Sequence, residues 1–346
     1  MIIFLFIFFV YPSSMGLKQN EKLFVLNNGN VFYVGGNGLN NYTNIQDAIN
    51  DSVEGDTVYV YNESSPYFES IVINKSIYLI GEDKYSTTID VQGIEADAVT
   101  VKADNVRLWG FTIQNAEGES CSYSGVLILS NRSNLANNII QYNNWAGVSI
   151  LFGEYNVIQD NTIINNTWDG ICIIGKNNKI TKNYLSDNLY GITVDGAYHN
   201  NISLNTVYKN KIGIYLVDSN RNNTFYQNNI TNNEIGIEID LSSKNFIIKN
   251  NFISNEKNAI FRRCAWYELI LGFFFLIVNK NAFLLTNYQQ IGSNVWDGNY
   301  WNRSYVLPYP ILGRRGIFNT FITVDEWFLP NQINFDWHPA KEPYDI

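Results

Sequence analysis

Cysteine is scarce: Cys121, Cys172 and Cys264 stand far apart in a chain of 346 residues. That excludes a disulfide framework and a thiolate zinc site, both of which need paired or closely spaced thiols. Runs of Lys or Arg are also missing, and the formal net charge is −9. Phosphate backbones require clustered cations, so nucleic acid is not an expected partner. Apolar runs long enough to span a bilayer, roughly 20 residues, are absent as well. The opening stretch "MIIFLFIFFVYPSSMG" holds only about eleven apolar residues before small polar ones. Residues 1–16 therefore read as a signal peptide or an N-terminal anchor, cleaved near Met15 or Gly16 in the first case. Membrane contact is expected only through this stretch, if it stays uncleaved.

Hydrophobic residues make up 46% of the chain and aromatics 15%, enough for a sizeable core. Asn is placed on a grid. The first column is Ser133, Asn156, Asn178, Asn200, Asn223 and Asn245. The second is Asn138, Asn161, Asn183, Asn205, Asn228 and Asn250, and the third is Asn143, Asn166, Asn188, Asn210, Asn233 and Asn255. All three columns step by 23, 22, 22, 23 and 22 residues. Three or four places after the third column comes Gly147, Gly170, Gly191, Gly213 or Gly236, followed by alternating stretches such as "GITV" and "GIEI". Aliphatic columns fall two places after the first and second Asn columns.

A repeat near 22 residues is too short to bury its own face, so neighbouring units must stack. The units are short and β-branched, with no helical stretch between them. These features predict an all-β solenoid: a right-handed parallel β-helix with three short strands per coil. Nine or ten coils would extend it over roughly 45 Å. Equivalent Asn side chains would then stack about 4.8 Å apart and pass amide hydrogen bonds from coil to coil. Asn is also expected to take the left-handed backbone at the corners.

The organisation expected is a leader at 1–16, an N-terminal segment at 17–56, the β-helix at 57–278 and an irregular aromatic cap at 279–346. "TNIQDAIND" reads as a short capping helix opened by a Thr43–Gln46 capping box. "ELILGFFFLIV" (268–278) reads as a final buried strand or cap segment. Ten sequons, at Asn41, Asn50, Asn62, Asn74, Asn131, Asn165, Asn201, Asn222, Asn229 and Asn302, fit an exported glycoprotein.

The stretch "YTNIQDAINDSVEGDTVYVYNESSPYFESIVINKSIYLIGED" resembles the N-terminal segment of pectin-lyase-like β-helices, especially NosD-type proteins. The repeated coils resemble the parallel β-helix repeats of the same group. "WDGNYWN" and "FDWHPAKEPYDI" resemble the C-terminal ends of exported archaeal β-helix proteins. The likeness covers most of residues 25–346; it is specific for fold and weak for chemistry. It implies secretion or a cell-surface location, and a polysaccharide or cell-surface glycan as partner. The copper-binding role of the namesake fits poorly, because copper sites want His, Cys and Met. Beyond the initiator, the chain has only His199, His338, Met15 and three dispersed Cys.

Strand alternation turns Glu238 and Asp240 outward if Ile237 and Ile239 point in, and adds Thr193, Asp195 and Tyr215 from the two preceding coils. Asp218 follows just past its strand. Asp195, Glu238 and Asp240 are the catalytic candidates; Thr193, Tyr215 and Asp218 are the ligand-binding ones. Trp145, Trp168, Tyr190, Ile212 and Ile235 form another column, two places after the third Asn column, and are expected in the core. His199 is expected at an exposed corner. The reading is a non-catalytic exported β-helix, structural or carbohydrate-binding, with a polysaccharide hydrolase or lyase on the acidic face as the alternative. No cofactor is expected, and calcium on the acidic face stays open at this level.

Overall fold

The structure, a computed structural model, describes residues 29–118, 123–218, 220–264, 294–301, 309–316, 332–336 and 338–346. The expected leader and the 268–278 stretch lie outside the described residues. The chain forms a right-handed parallel β-solenoid of about ten turns with three sheets and one short α-helix. The first sheet has 11 strands and contains Val157–Gln159, Lys179–Thr181 and Asn201–Ser203. The second has 8, among them Thr162–Ile164 and Tyr184–Ser186. The third has 11, including Asp169–Lys176, Tyr190–Asp195, Ile212–Val217 and Ile235–Asp240. Within the coils all pairing is parallel; Tyr309–Gly316 and Gln332–Asp336 pair antiparallel at the far end.

The core follows from the aliphatic columns. Leu135, Ile158, Ile180, Ile202, Phe225 and Ile247 line the first sheet from inside, and Ile140, Ile163, Leu185, Val207, Ile230 and Phe252 line the second. Each is buried, which stabilises the fold by about 1.5–3 kcal/mol per side chain.

The Asn columns are buried as well. Asn183 is typical: its Oδ1 accepts from the Asn161 backbone N–H at 3.1 Å and from Asn161 Nδ2 at 3.0 Å. Its own Nδ2 donates to Ile158 O at 2.9 Å and to Asn205 Oδ1 at 3.0 Å. The left-handed residues are not these Asn but the ones just before them. Asn177, His199 and Asn222 precede the first column, Asp160, Lys182 and Leu204 the second, and Asn165, Asp187 and Lys209 the third, all with φ between 53 and 60°. The ladder Asn needs ordinary backbone so that its amide points inward; the residue before it absorbs the corner and points to solvent.

The third corner has a different constraint. A Cβ on Gly170 would lie 2.5 Å from Gly191 O, 2.9 Å from Leu185 Cδ2 and 3.1 Å from Asn188 Nδ2. The Gly column is therefore a matter of space, since φ there is ordinary.

The helix Ile45–Asp51 closes the N-terminal end, with Ile45, Ala48 and Ile49 buried. The expected Thr43–Gln46 box is replaced by Asn44 at the N-cap, without a side-chain cap bond. The cap comes from the next coil: Glu69 carboxyl oxygens accept from Ile45 N at 2.7 Å and Gln46 N at 3.0 Å. At the other end Lys75 Nζ donates to the carbonyls of Ile49, Asn50 and Ser52. A carboxylate at the helix start and an ammonium at its end both complement the dipole. Gln46 in turn pairs with Val72 through both its amide atoms, completing the open edge of the third sheet.

The solenoid continues into the segment expected as an irregular cap. Val295–Asp297 joins the first sheet beside Phe246–Ile248. Asn294 and Asn299 extend the first and second ladders, accepting from Asn245 N at 3.0 Å and Asn250 N at 2.9 Å. Trp301 is buried and stacks on Phe252 with centroids 4.6 Å apart.

Two outcomes are expected. Asn183→Ala leaves buried amide groups of Asn161 and Ile158 unpaired and should cost about 2–4 kcal/mol, read as a lower urea midpoint, whereas Asp160→Ala at an exposed corner should cost far less. Glu69→Ala should cost about 1–2 kcal/mol by uncapping the helix, with the loss appearing first in amide exchange of residues 45–51.

Candidate functional site

The outer face of the third sheet carries the candidate residues read from the sequence. Its outward row runs Leu127, Ser149, Cys172, Thr193, Tyr215, Glu238 and Ile260, each in register with the next. At the corner edge of this row lie aromatic rings. Trp145 stacks on Trp168 with centroids 5.6 Å apart, Trp168 meets Tyr190 at 6.5 Å, and Tyr190 stacks on Tyr215 at 5.2 Å. Trp168 is 37% exposed and the other three are half-buried.

This corrects the expectation of an inward aromatic column. The Gly that follows each ring occupies the inner corner, against Asn amides and core side chains with no room for a Cβ. Tyr190 directly precedes its Gly, whereas Ala146 and Asp169 stand between Trp145 or Trp168 and theirs; all three rings lie outside the core cluster. The column's last two members, Ile212 and Ile235, stay outside the core cluster too.

The sequence candidates are distributed unevenly over this face. Asp195, Tyr215 and Asp240 are half-buried, and Asp218 is exposed at φ 57° beyond its strand. Thr193 and Glu238, expected in solvent, are 7% and 2% exposed. Both do point away from the aliphatic core, but neighbouring coils cover them: Tyr215 lies in register between the two, and Ile260 follows Glu238. Asp195 and Asp240 sit two coils apart, about 10 Å at the rise of a parallel stack.

Asp169 was not singled out from the sequence, yet its carboxyl is strongly perturbed. It is buried, accepts a hydrogen bond from the Thr193 hydroxyl, and its pKa is pushed up to about 7. Loss of hydration on burial is the main cause; the Thr193 bond opposes it and the charge of Asp195 adds to it. The available signal was its position: Asp169 pairs with Ala146 on one side and Tyr190 on the other, in a column that continues with Ile212 and Ile235. Burial, and then Asp218, also raises Asp195. The Cys172 thiol beside them is pushed far up by burial, so it is no thiolate.

Copper donors do not converge here. His199 is exposed at a corner beside Tyr198, and His338 Nδ1 contacts Asp297 at 2.8 Å. Among the described residues no group of three or more His, Cys, Asp or Glu is placed to hold a metal ion. With His199 and His338 far apart in the chain and no such group among the described residues, this donor set does not fit a copper site. No helix among the described residues is long and apolar enough to cross a membrane.

A parallel β-helix with an outward aromatic and acidic face is the class that these features define. The chain belongs to the family described as "Periplasmic copper-binding protein (NosD)", whose model matches residues 49–234. No curated protein matches it significantly. Among solved structures it is similar to pectate lyase Pel9A, at 16% identity over 68% of this chain and 75% of that one, TM-score 0.49. It is also similar to XylC in complex with xylose, at 9% identity over 78% and 83% of the two chains, TM-score 0.50. A third is the Azotobacter vinelandii mannuronan C-5 epimerase AlgE6 A-module, at 15% identity, 63% and 74% coverage, TM-score 0.45. At these identities the likeness is one of fold.

Asp169 makes stability depend on pH. Its folded pKa lies above its unfolded value near 4, so the native state binds the extra proton between the two. The stability of the wild type should therefore fall as pH rises from 4 through 7, by up to a few kcal/mol. Asp169→Asn, which keeps the acceptor for Thr193, should flatten this loss; urea midpoints between pH 4 and pH 8 check it.

Proposed function

We propose that this chain is an exported, non-catalytic β-helix that binds polysaccharide on the outer face of its third sheet. The observation that carries this reading is the run of four outward rings, Trp145, Trp168, Tyr190 and Tyr215, on successive coils. Rings stacked in this way present their edges as a ridged apolar surface, against which the C–H groups of sugars pack while their hydroxyls reach polar neighbours. Asp195 and Asp240 supply those polar groups. Support for export comes from the periplasmic description of the family and from sequons at the exposed Asn50, Asn74, Asn165 and Asn201.

Glycoside hydrolysis needs two carboxyls on either side of the bond, roughly 5–9.5 Å apart. Asp195 and Asp240 stand two coils apart, and Glu238 is covered. Hydrolysis is the second reading for one reason: burial lifts the Asp169 carboxyl to a pKa of about 7, beside the charge of Asp195.

Affinity electrophoresis and reducing-end release on a polysaccharide panel test both. Retardation without product is the expected result, and Trp168→Ala should weaken binding about tenfold, or about 1.4 kcal/mol. Product that disappears in Asp169→Asn would establish the hydrolase instead. No retardation by any polysaccharide would remove the glycan reading.

A further inference from the structure

We infer that the third-sheet face takes a neutral polysaccharide laid parallel to the solenoid axis, about one sugar per coil, and discriminates against uronate-bearing chains. The inference rests on the glycan-binding reading and specifies its ligand.

Orientation follows from where the rings stand. Their centroids are separated by 5.6, 6.5 and 5.2 Å along four consecutive coils. Parallel strands repeat every ~4.8 Å, so the apolar ridge climbs the axis nearly in step with the coils. A chain lying across the strands would meet one or two rings and then the polar residues beyond them. A chain lying along the axis keeps one ring under each sugar.

Charge decides the class. The accessible polar groups beside the ridge are led by Asp195, with Asp218 past the strand end; Asp169, Thr193 and Glu238 are buried. Carboxylates accept hydrogen bonds from sugar hydroxyls and repel carboxylates on a ligand. The repulsion is already felt within the protein, where Asp218 adds to the upward shift of Asp195. Recognition of uronates would need cations on this ridge. Within the described strands of the sheet, the basic residues are Lys176, bound to Glu154 at 2.8 Å, and those from Lys257 onward, where Arg262 is in register with Asp240, so the charge beside the rings rests on Asp195 and Asp218. Lys211, at the corner before Ile212, lines an open hollow of about 440 Å³ together with Asp187, Lys209, Glu234 and Glu256. That hollow is of mixed sign and offers an anion no net attraction.

Calorimetric titration of the purified protein with cello-, xylo- and manno-oligosaccharides against oligogalacturonides, two to eight units long, tests this at fixed salt. Affinity for at least one neutral series should rise with each unit up to about four or five and then level off. The uronate series should bind at least tenfold more weakly, and Asp195→Lys should narrow that ratio severalfold. Uronates that bind as tightly as the neutral chains would overturn the inference while leaving glycan binding intact. Affinity that levels off at two units, or that survives Trp168→Ala, would overturn the axial placement. Absence of binding by every series would remove the glycan reading itself, together with this one.

Discussion

The solenoid depends on one interaction, an amide oxygen that accepts two hydrogen bonds from the coil before it. In the second ladder this runs from Asn138 through Asn161, Asn183, Asn205, Asn228 and Asn250 to Asn299, each accepting from both the backbone N–H and the Nδ2 of the Asn before it. Buried amides must be satisfied, and here satisfaction is collective. An Asn in the ladder is useful only when the coils on both sides place theirs at the same height. The 22–23-residue step is therefore a packing requirement. The register that it imposes on the strands also aligns residues on the outside, as in the row from Cys172 through Thr193 and Tyr215 to Glu238.

Much of the fold was legible because its signal is repeated. One Asn proves nothing; three columns in one register over six coils leave few alternatives. The core columns were legible for the same reason, since Ile158, Ile180 and Ile202 are chemically alike and recur at one spacing. The outer face was not legible to that degree. An Asn–x–Trp spacing looks the same as an Asn–x–Ile spacing, yet at the third corner the glycine takes the inner position and the ring is displaced outward. Glu238 and Thr193 alternate as solvated residues do, and their covering by neighbours depends on side-chain sizes in adjacent coils. Asp169 escaped notice because its burial is a tertiary fact, although an acid in a column of Ala, Tyr and Ile was visible. The helix cap failed for a similar reason: Glu69 competes with a local box from one coil away.

Family and chemistry separate in this molecule. Membership of the NosD family fixes the scaffold. The donors that copper prefers are few and apart, while rings and carboxyls are concentrated along one sheet. A scaffold whose interior is dictated by amide columns leaves its outward positions free to vary, and outward positions decide what it contacts.

The second ladder ends on Asp336, whose Oδ2 accepts from Asn299 N at 2.9 Å, Asn299 Nδ2 at 3.1 Å and Trp301 Nε1 at 3.0 Å. A carboxylate can accept but has no proton to hand on. The column is therefore a polar filament with a sealed tip: donors face the C-terminal end at every step, and the last step meets a group that cannot continue the series. Coils can be added or deleted upstream in whole units without disturbing this terminus. Asp336 thus closes the second ladder by accepting without donating onward.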